Sequence, residues 1–119
     1  MKYAILIYGD ETAGANATPE QQQQVMDAWW GLEGELQKEE GLRLAGEALQ
    51  PTSTATSVRV KDGKPTTTDG PFAETKEQLG GFYLLDCKDL DEAIEWAKKM
   101  PVGTGTLEVR PVQVFEQPQ

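Results

Sequence analysis

Two short segments, residues 2–8 and 81–87, are apolar on both of their alternating faces. In the first, Tyr3, Ile5 and Ile7 share one face while Ala4, Leu6 and Tyr8 share the other. The second reads Gly81-Phe82-Tyr83-Leu84-Leu85-Asp86-Cys87 and follows the same rule. Strands of this kind have to be covered on both sides. That requirement constrains the fold more than any other feature, because the chain of 119 residues offers only two long helical patterns.

The first helical pattern opens at Thr18-Pro19-Glu20-Gln21. Thr18 suits the N-cap, Pro19 the first helical position, and Gln21 completes a T-x-x-Q capping box. Val25, Trp29, Leu32 and Leu36 recur at helical spacing with Met26 beside them, and Gly41 marks the stop. Adjacent Trp30 points away from that stripe, toward an edge or a partner surface. The second pattern opens at Asp89-Leu90-Asp91-Glu92, a D-x-x-E cap. It carries Leu90, Ala93, Ile94, Ala97 and Met100 on one side, with Trp96 off the stripe, and ends at Pro101. Residues 9–17 read as a Gly/Ala/Asn/Thr loop and residues 42–49 as a weak strand. Residues 55–61 form a clear strand that turns at Asp62-Gly63 and returns over 64–68, and residues 106–115 form the last strand. Gly80-Gly81 predicts a bulge or a close backbone approach where the strand at 81–87 begins.

The order is β-α-β, a hairpin insertion, then β-α-β. This predicts an α+β fold of the ferredoxin-like, split βαβ type, a single domain over residues 1–119 with an antiparallel sheet and both helices on one face. The second face of the two-sided strands then lacks a cover. The simplest solution is a second copy packed sheet to sheet, so a homodimer is expected; the alternative is an apolar ligand pocket within a monomer.

Composition narrows the function. Eleven basic residues stand against 20 acidic ones, a net charge of −9. Nucleic acid and anionic membrane surfaces would be repelled on average, so neither is an expected partner. No apolar run approaches the roughly 18–20 residues that span a bilayer. The N-terminal run reaches Asp10 without a cleavage-site pattern, so it reads as a strand and not a signal peptide. Cys87 is the only cysteine, which excludes an intrachain disulfide and suits a reducing cytoplasm. Beside Asp86, it reads as an inert thiol. The chain has no histidine, which excludes a Ser-His-Asp triad, a Cys-His pair and a His-ligated metal. No cofactor motif occurs, and the acids at 89–92 resemble a helix cap more than a metal loop, so no cofactor and no metal are expected.

The segment Asp69-Gly70-Pro71-Phe72-Ala73-Glu74-Thr75-Lys76-Glu77-Gln78-Leu79-Gly80-Gly81-Phe82-Tyr83 is the most specific stretch of the chain. It resembles the signature of the DGPF-motif proteins, a branch of the YCII-related domain family. Asp89-Leu90-Asp91-Glu92-Ala93, the Pro101 stop, Leu107-Glu108-Val109-Arg110-Pro111 and the opening Met1–Tyr8 match the same pattern in order. The resemblance covers essentially the whole chain. It implies a dimeric α/β barrel, built from two facing ferredoxin-like sheets, in a small bacterial cytoplasmic protein whose activity is mostly unassigned. It also implies a functional link to extracytoplasmic-function sigma factors, beside which several relatives occur. Some relatives carry a His–Asp pair in a cleft, proposed as catalytic. Here only the acid half carries over, onto Asp69.

Asp69 is therefore the first candidate, as an acid or base whose pKa is raised by partial burial in a cleft. The competing reading is an Asx-turn ahead of Gly70-Pro71. Alternation puts Arg110 with Glu108, Val112 and Val114. It could anchor a carboxylate-bearing ligand or form a structural salt bridge with Asp69, Glu74 or Glu108. Glu74, Tyr83 and Tyr8 complete the candidate ligand-binding set; the bland alternatives are a solvated charge for Glu74 and core packing with one hydrogen bond for each tyrosine. Two functions stay open. One is a small-molecule-binding protein with acid–base catalysis at Asp69. The other is a non-catalytic accessory or regulatory dimer acting through a protein partner.

Overall fold

A computed structural model describes residues 1–118. Strand β1 spans Lys2–Gly9, followed by a short helix α1 at Glu11–Ala15 and the long helix α2 at Pro19–Lys38. Strand β2 (Arg43–Ala48) leads through a 3-10 turn at Thr52–Thr54 into β3 (Thr56–Lys61) and β4 (Lys64–Asp69). Strand β5 (Gln78–Asp86), helix α3 (Leu90–Lys98) and β6 (Thr106–Pro111) complete the chain. The main sheet has the order β2-β5-β1-β6 with all neighbours antiparallel. This is the expected ferredoxin-like α+β arrangement, with β3 and β4 as a separate two-stranded hairpin.

Local chemistry explains most boundaries. Thr18 Oγ1 accepts from the Gln21 amide, and the Gln21 side chain accepts from the Thr18 amide, so both halves of the capping box form. Asp89 caps α3 by accepting from the Glu92 amide, and Glu92 reaches back to the Lys88 amide. Asp62 and Gly63 both have positive φ (52° and 75°), which a two-residue turn joining twisted strands requires. The expected loop at 9–17 is instead partly helical. Asp10 caps α1 by accepting from the Thr12 amide, and the Glu11 carboxylate accepts from the amide and hydroxyl of Thr52, 41 residues away. That distant anchor is invisible to local pattern.

The core lies between the sheet and the helices. Tyr3, Ile5, Tyr83 and Leu85 point down from β1 and β5, with Cys87 just beyond β5, and meet Leu32 and Leu36 of α2 and Ala93, Ala97 and Met100 at α3. Burying a side chain the size of Ile5, Leu36 or Leu85 contributes roughly 1.5–3 kcal/mol. Three residues expected on helix stripes lie outside this core: Ile94 is only half-buried, and Val25 and Leu90 are exposed, Val25 because the buried arc of α2 lies over its C-terminal half. Strand β6 ends at Pro111, earlier than the expected 115; one further bond, from the Val112 amide to the Lys2 carbonyl at 2.9 Å, reaches the first residue of β1, where the partner strand itself begins.

Two bulges tune the sheet. Ile7 pairs with Gly81 and Tyr8 with Leu79, leaving Gly80 as an extra residue on β5. A Cβ on Gly81 would meet the Glu47 carbonyl oxygen at 2.8 Å, so the Gly80-Gly81 pair supplies both the bulge and the close approach. On β2, Arg43 pairs with Leu85 but Ala45 with Leu84, so Leu44 bulges out. Arg43 and Gly46 therefore share the helix-facing side although they lie three residues apart.

The opposite face of the sheet carries Ala4, Leu6, Phe82, Leu84 and Ala45, and no element among the described residues covers it. Glu108, opposite Leu6, and Arg110, opposite Ala4, edge the same face. The shortest extent of the molecule is only 18 Å, the thickness of one sheet and one helix layer.

Candidate functional site

A groove of about 560 Å³ opens between α2 and the ends of β1, β2 and β5. Met26, Trp29 and Trp30 of α2 wall one side, and Ile7, Pro101 and Val102 are apolar on the other. Its polar floor is a cluster that the register of β2 and β5 assembles beneath Glu33 of α2. The Tyr83 hydroxyl donates to Glu33 Oε2 at 2.7 Å. Gln37, one turn further along α2, donates to Glu33 Oε1 at 3.1 Å. The Arg43 guanidinium pairs with Glu33 through Nε; the contact is charge against charge, since its angle falls outside hydrogen-bond geometry. Arg43 also donates to the Gly46 carbonyl at 3.3 Å and lies 5.7 Å from the centre of the Tyr83 ring. Trp29 stacks on Tyr83, ring centres 6.5 Å apart.

The glycine at 46 makes this geometry possible. A Cβ there would sit 2.6 Å from two carbons of the Tyr83 ring. The ring fills the space that every other residue type would occupy.

Electrostatics fix the protonation states. Burial of Glu33 works against its charge, but the bonds from Tyr83 and Gln37 and the Arg43 cation outweigh it, and the carboxyl is held below its ordinary range. For Tyr83, burial is the largest influence, and the bond to Glu33 and its negative charge act in the same direction. The phenol is raised above its ordinary value, with Arg43 opposing. At neutral pH the floor thus holds a carboxylate, a phenol and a guanidinium already satisfied by one another. It is built to present a fixed polar surface rather than to exchange protons. Cys87, elsewhere in the core, is pushed up to about 11, first by burial and then by Glu92 and Asp86, so it stays a thiol.

Of the sequence candidates, Tyr8 and Tyr83 line this groove. The structure does not bring the others to it. Asp69 is exposed at the end of β4, paired with Thr56 in the separate hairpin. Glu74 is exposed in the loop between β4 and β5. Arg110 is exposed on the uncovered face of the sheet and makes no ion pair among the described residues; the expected bridges to Asp69, Glu74 or Glu108 do not form. Glu33 and Arg43 were not expected in the site. One signal pointed to Glu33: it follows Leu32 and stands four residues after Trp29 and three before Leu36, inside the apolar arc of the helix. A carboxylate there needs a partner. Nothing local marks Arg43 as that partner.

The model of the YCII-related domain family matches residues 1–116. The chain belongs to the YCII-related domain family. An uncharacterized protein of Rhizobium meliloti (strain 1021) is 39% identical over 119 residues, covering 98% of this chain and 95% of that relative. The DGPF segment of this YCII-related chain falls within the family match. Among the described residues no helix is long and apolar enough to cross a membrane. In this family member the DGPF segment links the hairpin to β5, and its Gly70 amide donates to the Ala55 carbonyl at 2.7 Å while Ser57 Oγ donates to the Gly70 carbonyl. The motif thereby closes the base of the hairpin.

Proposed function

We propose that this YCII-related protein binds a small, largely apolar molecule in the groove between α2 and the sheet. The observation that carries this reading is the groove itself. Its volume of about 560 Å³ falls in the usual range for small-molecule sites. It combines an aromatic wall with a few fixed polar groups, the combination that gives affinity and orientation together. Binding is favoured over acid–base catalysis because Glu33 and Tyr83 are both held away from proton exchange near neutral pH.

The test is a thermal-shift screen of small aromatic compounds against the wild type, Trp30→Ala and Asp69→Asn. Trp30 is exposed, so its loss leaves the fold intact. A compound present at a hundred times its dissociation constant stabilises by about 2.7 kcal/mol. Hits are expected to weaken in Trp30→Ala and persist in Asp69→Asn. Absence of hits, or hits that depend on Asp69 and ignore Trp30, would overturn the groove as the site.

A second copy is the occupant that best fits the uncovered sheet face. That face is self-complementary in kind: an apolar centre of Leu6, Phe82 and Leu84, edged by Arg110 and by Glu108 and Glu47. A two-fold pairing would cover the centre and offer Arg110 the acids it lacks within its own chain. Sedimentation at micromolar concentration should then give twice the chain mass of 13.1 kDa, and Leu84→Asp should return it to one. A wild-type monomer would rule the pairing out.

A further inference from the structure

We infer that the groove selects a planar aromatic ligand that carries a positive charge, an aromatic amine rather than an aromatic acid. The inference rests on the groove reading above and adds the sign of the ligand. Three acidic residues, Asp10, Glu11 and Glu33, line the groove against the single cation of Arg43, while Glu47, which also borders it, alternates onto the uncovered sheet face beside Phe82. Arg43 is consumed by Glu33, which leaves two negative charges without a counter-charge in the lining.

These charges are held in place. Glu11 is pinned by the amide and hydroxyl of Thr52, each at 2.8 Å, and Asp10 by its capping bond from the Thr12 amide. Such neutral donors orient a carboxylate without cancelling its charge. An anionic ligand would have to enter against this field and compete with Glu33 for Arg43, while Tyr83 and Gln37 hold Glu33 in position. A cation meets attraction at the mouth. Trp29 and the exposed face of Trp30 add the negative face of the indole ring, which favours an ammonium close to it.

Three probes that share an indole ring isolate the charge: tryptamine, N-acetyltryptamine and indole-3-propionate. Calorimetric titration would be run on the wild type, on Trp30→Ala, and on Asp10→Asn combined with Glu11→Gln. Asn retains capping ability at position 10, and a Gln oxygen at position 11 still accepts from Thr52, so this double variant stays folded. Tryptamine is expected to bind about tenfold tighter than the neutral probe, with the propionate weakest. That preference should shrink in the double variant and in high salt. Tryptamine affinity should also fall in Trp30→Ala. If the propionate binds as well as tryptamine and both depend on Trp30, the groove stands and the charge preference is wrong. If tryptamine is preferred but ignores Trp30, the amine sits on the acidic surface elsewhere and the inference falls. If none of the three binds, the inference falls, and the broader screen decides the groove reading separately.

Discussion

Glu33→Ala is expected to destabilise the protein by about 2–4 kcal/mol, measured by denaturant unfolding near neutral pH. The substitution strands two groups at once. The Tyr83 hydroxyl loses its acceptor, and Arg43, with 29% of its side chain exposed, loses its counter-charge. That partial exposure keeps the expected loss at or below the usual cost of breaking a fully buried pair. Glu33→Gln should cost less, because an amide oxygen still accepts from Tyr83. The pH dependence gives an independent check. Glu33 has a folded pKa below its ordinary 4.5, so its contribution is complete above that value and is lost as pH falls through the folded one. Tyr83 is shifted the other way. Its contribution is complete below its ordinary value of 10.0 and is lost as pH rises through the folded one. The stability difference between wild type and Glu33→Ala should therefore be flat through neutrality and shrink at both extremes. A difference that grows toward acid would show that Glu33 is not a paired carboxylate.

Gly46→Val should cost about 2–3 kcal/mol, by overpacking rather than by any loss of contact. Its new Cβ alone would fall 2.6 Å from the Tyr83 ring and 3.1 Å from an Arg43 nitrogen. The ring cannot retreat freely, since Trp29 stacks on it and its hydroxyl is tied to Glu33. The displaced ring should also deform the floor of the groove, so ligand shifts seen with the wild type should diminish. The control is Gly34→Ala, at a helical position where a Cβ meets nothing, which should stabilise by roughly 0.5–1 kcal/mol. If Gly46→Val proves neutral, the ring is not confined as described.

What the sequence made legible was whatever depends on neighbours in the chain. The capping box at Thr18 and Gln21, the Asp62-Gly63 turn and the Gly80-Gly81 bulge each need only a few adjacent residues, and each forms. The strand order followed because the alternation of elements leaves few topologies. The site was harder. Glu33, Arg43 and Tyr83 lie on three different elements, and only the docking of α2 over the β2–β5 pair brings them together. The DGPF segment drew attention to Asp69, yet its nearest contacts close the hairpin, a role that turn chemistry alone describes. Helix α1 was missed for a similar reason, since its anchor at Thr52 is remote.

The bulge at Leu44 also bears on how relatives of this chain can change length. With Leu44 looped out, Arg43, Ala45 and Gly46 face Leu85, Leu84 and Tyr83 in unbroken succession, so the pairing does not count residue 44. A lost codon at 44 would leave a regular strand with the guanidinium still toward Glu33 and the vacant slot still toward the Tyr83 ring. Substitution or loss of residue 44 leaves that parity intact, whereas one further residue taken into the pairing between 43 and 46 reverses it. The bulge position should thus drift in composition and even vanish among relatives, while the residues paired on either side of it stay locked to the groove they furnish.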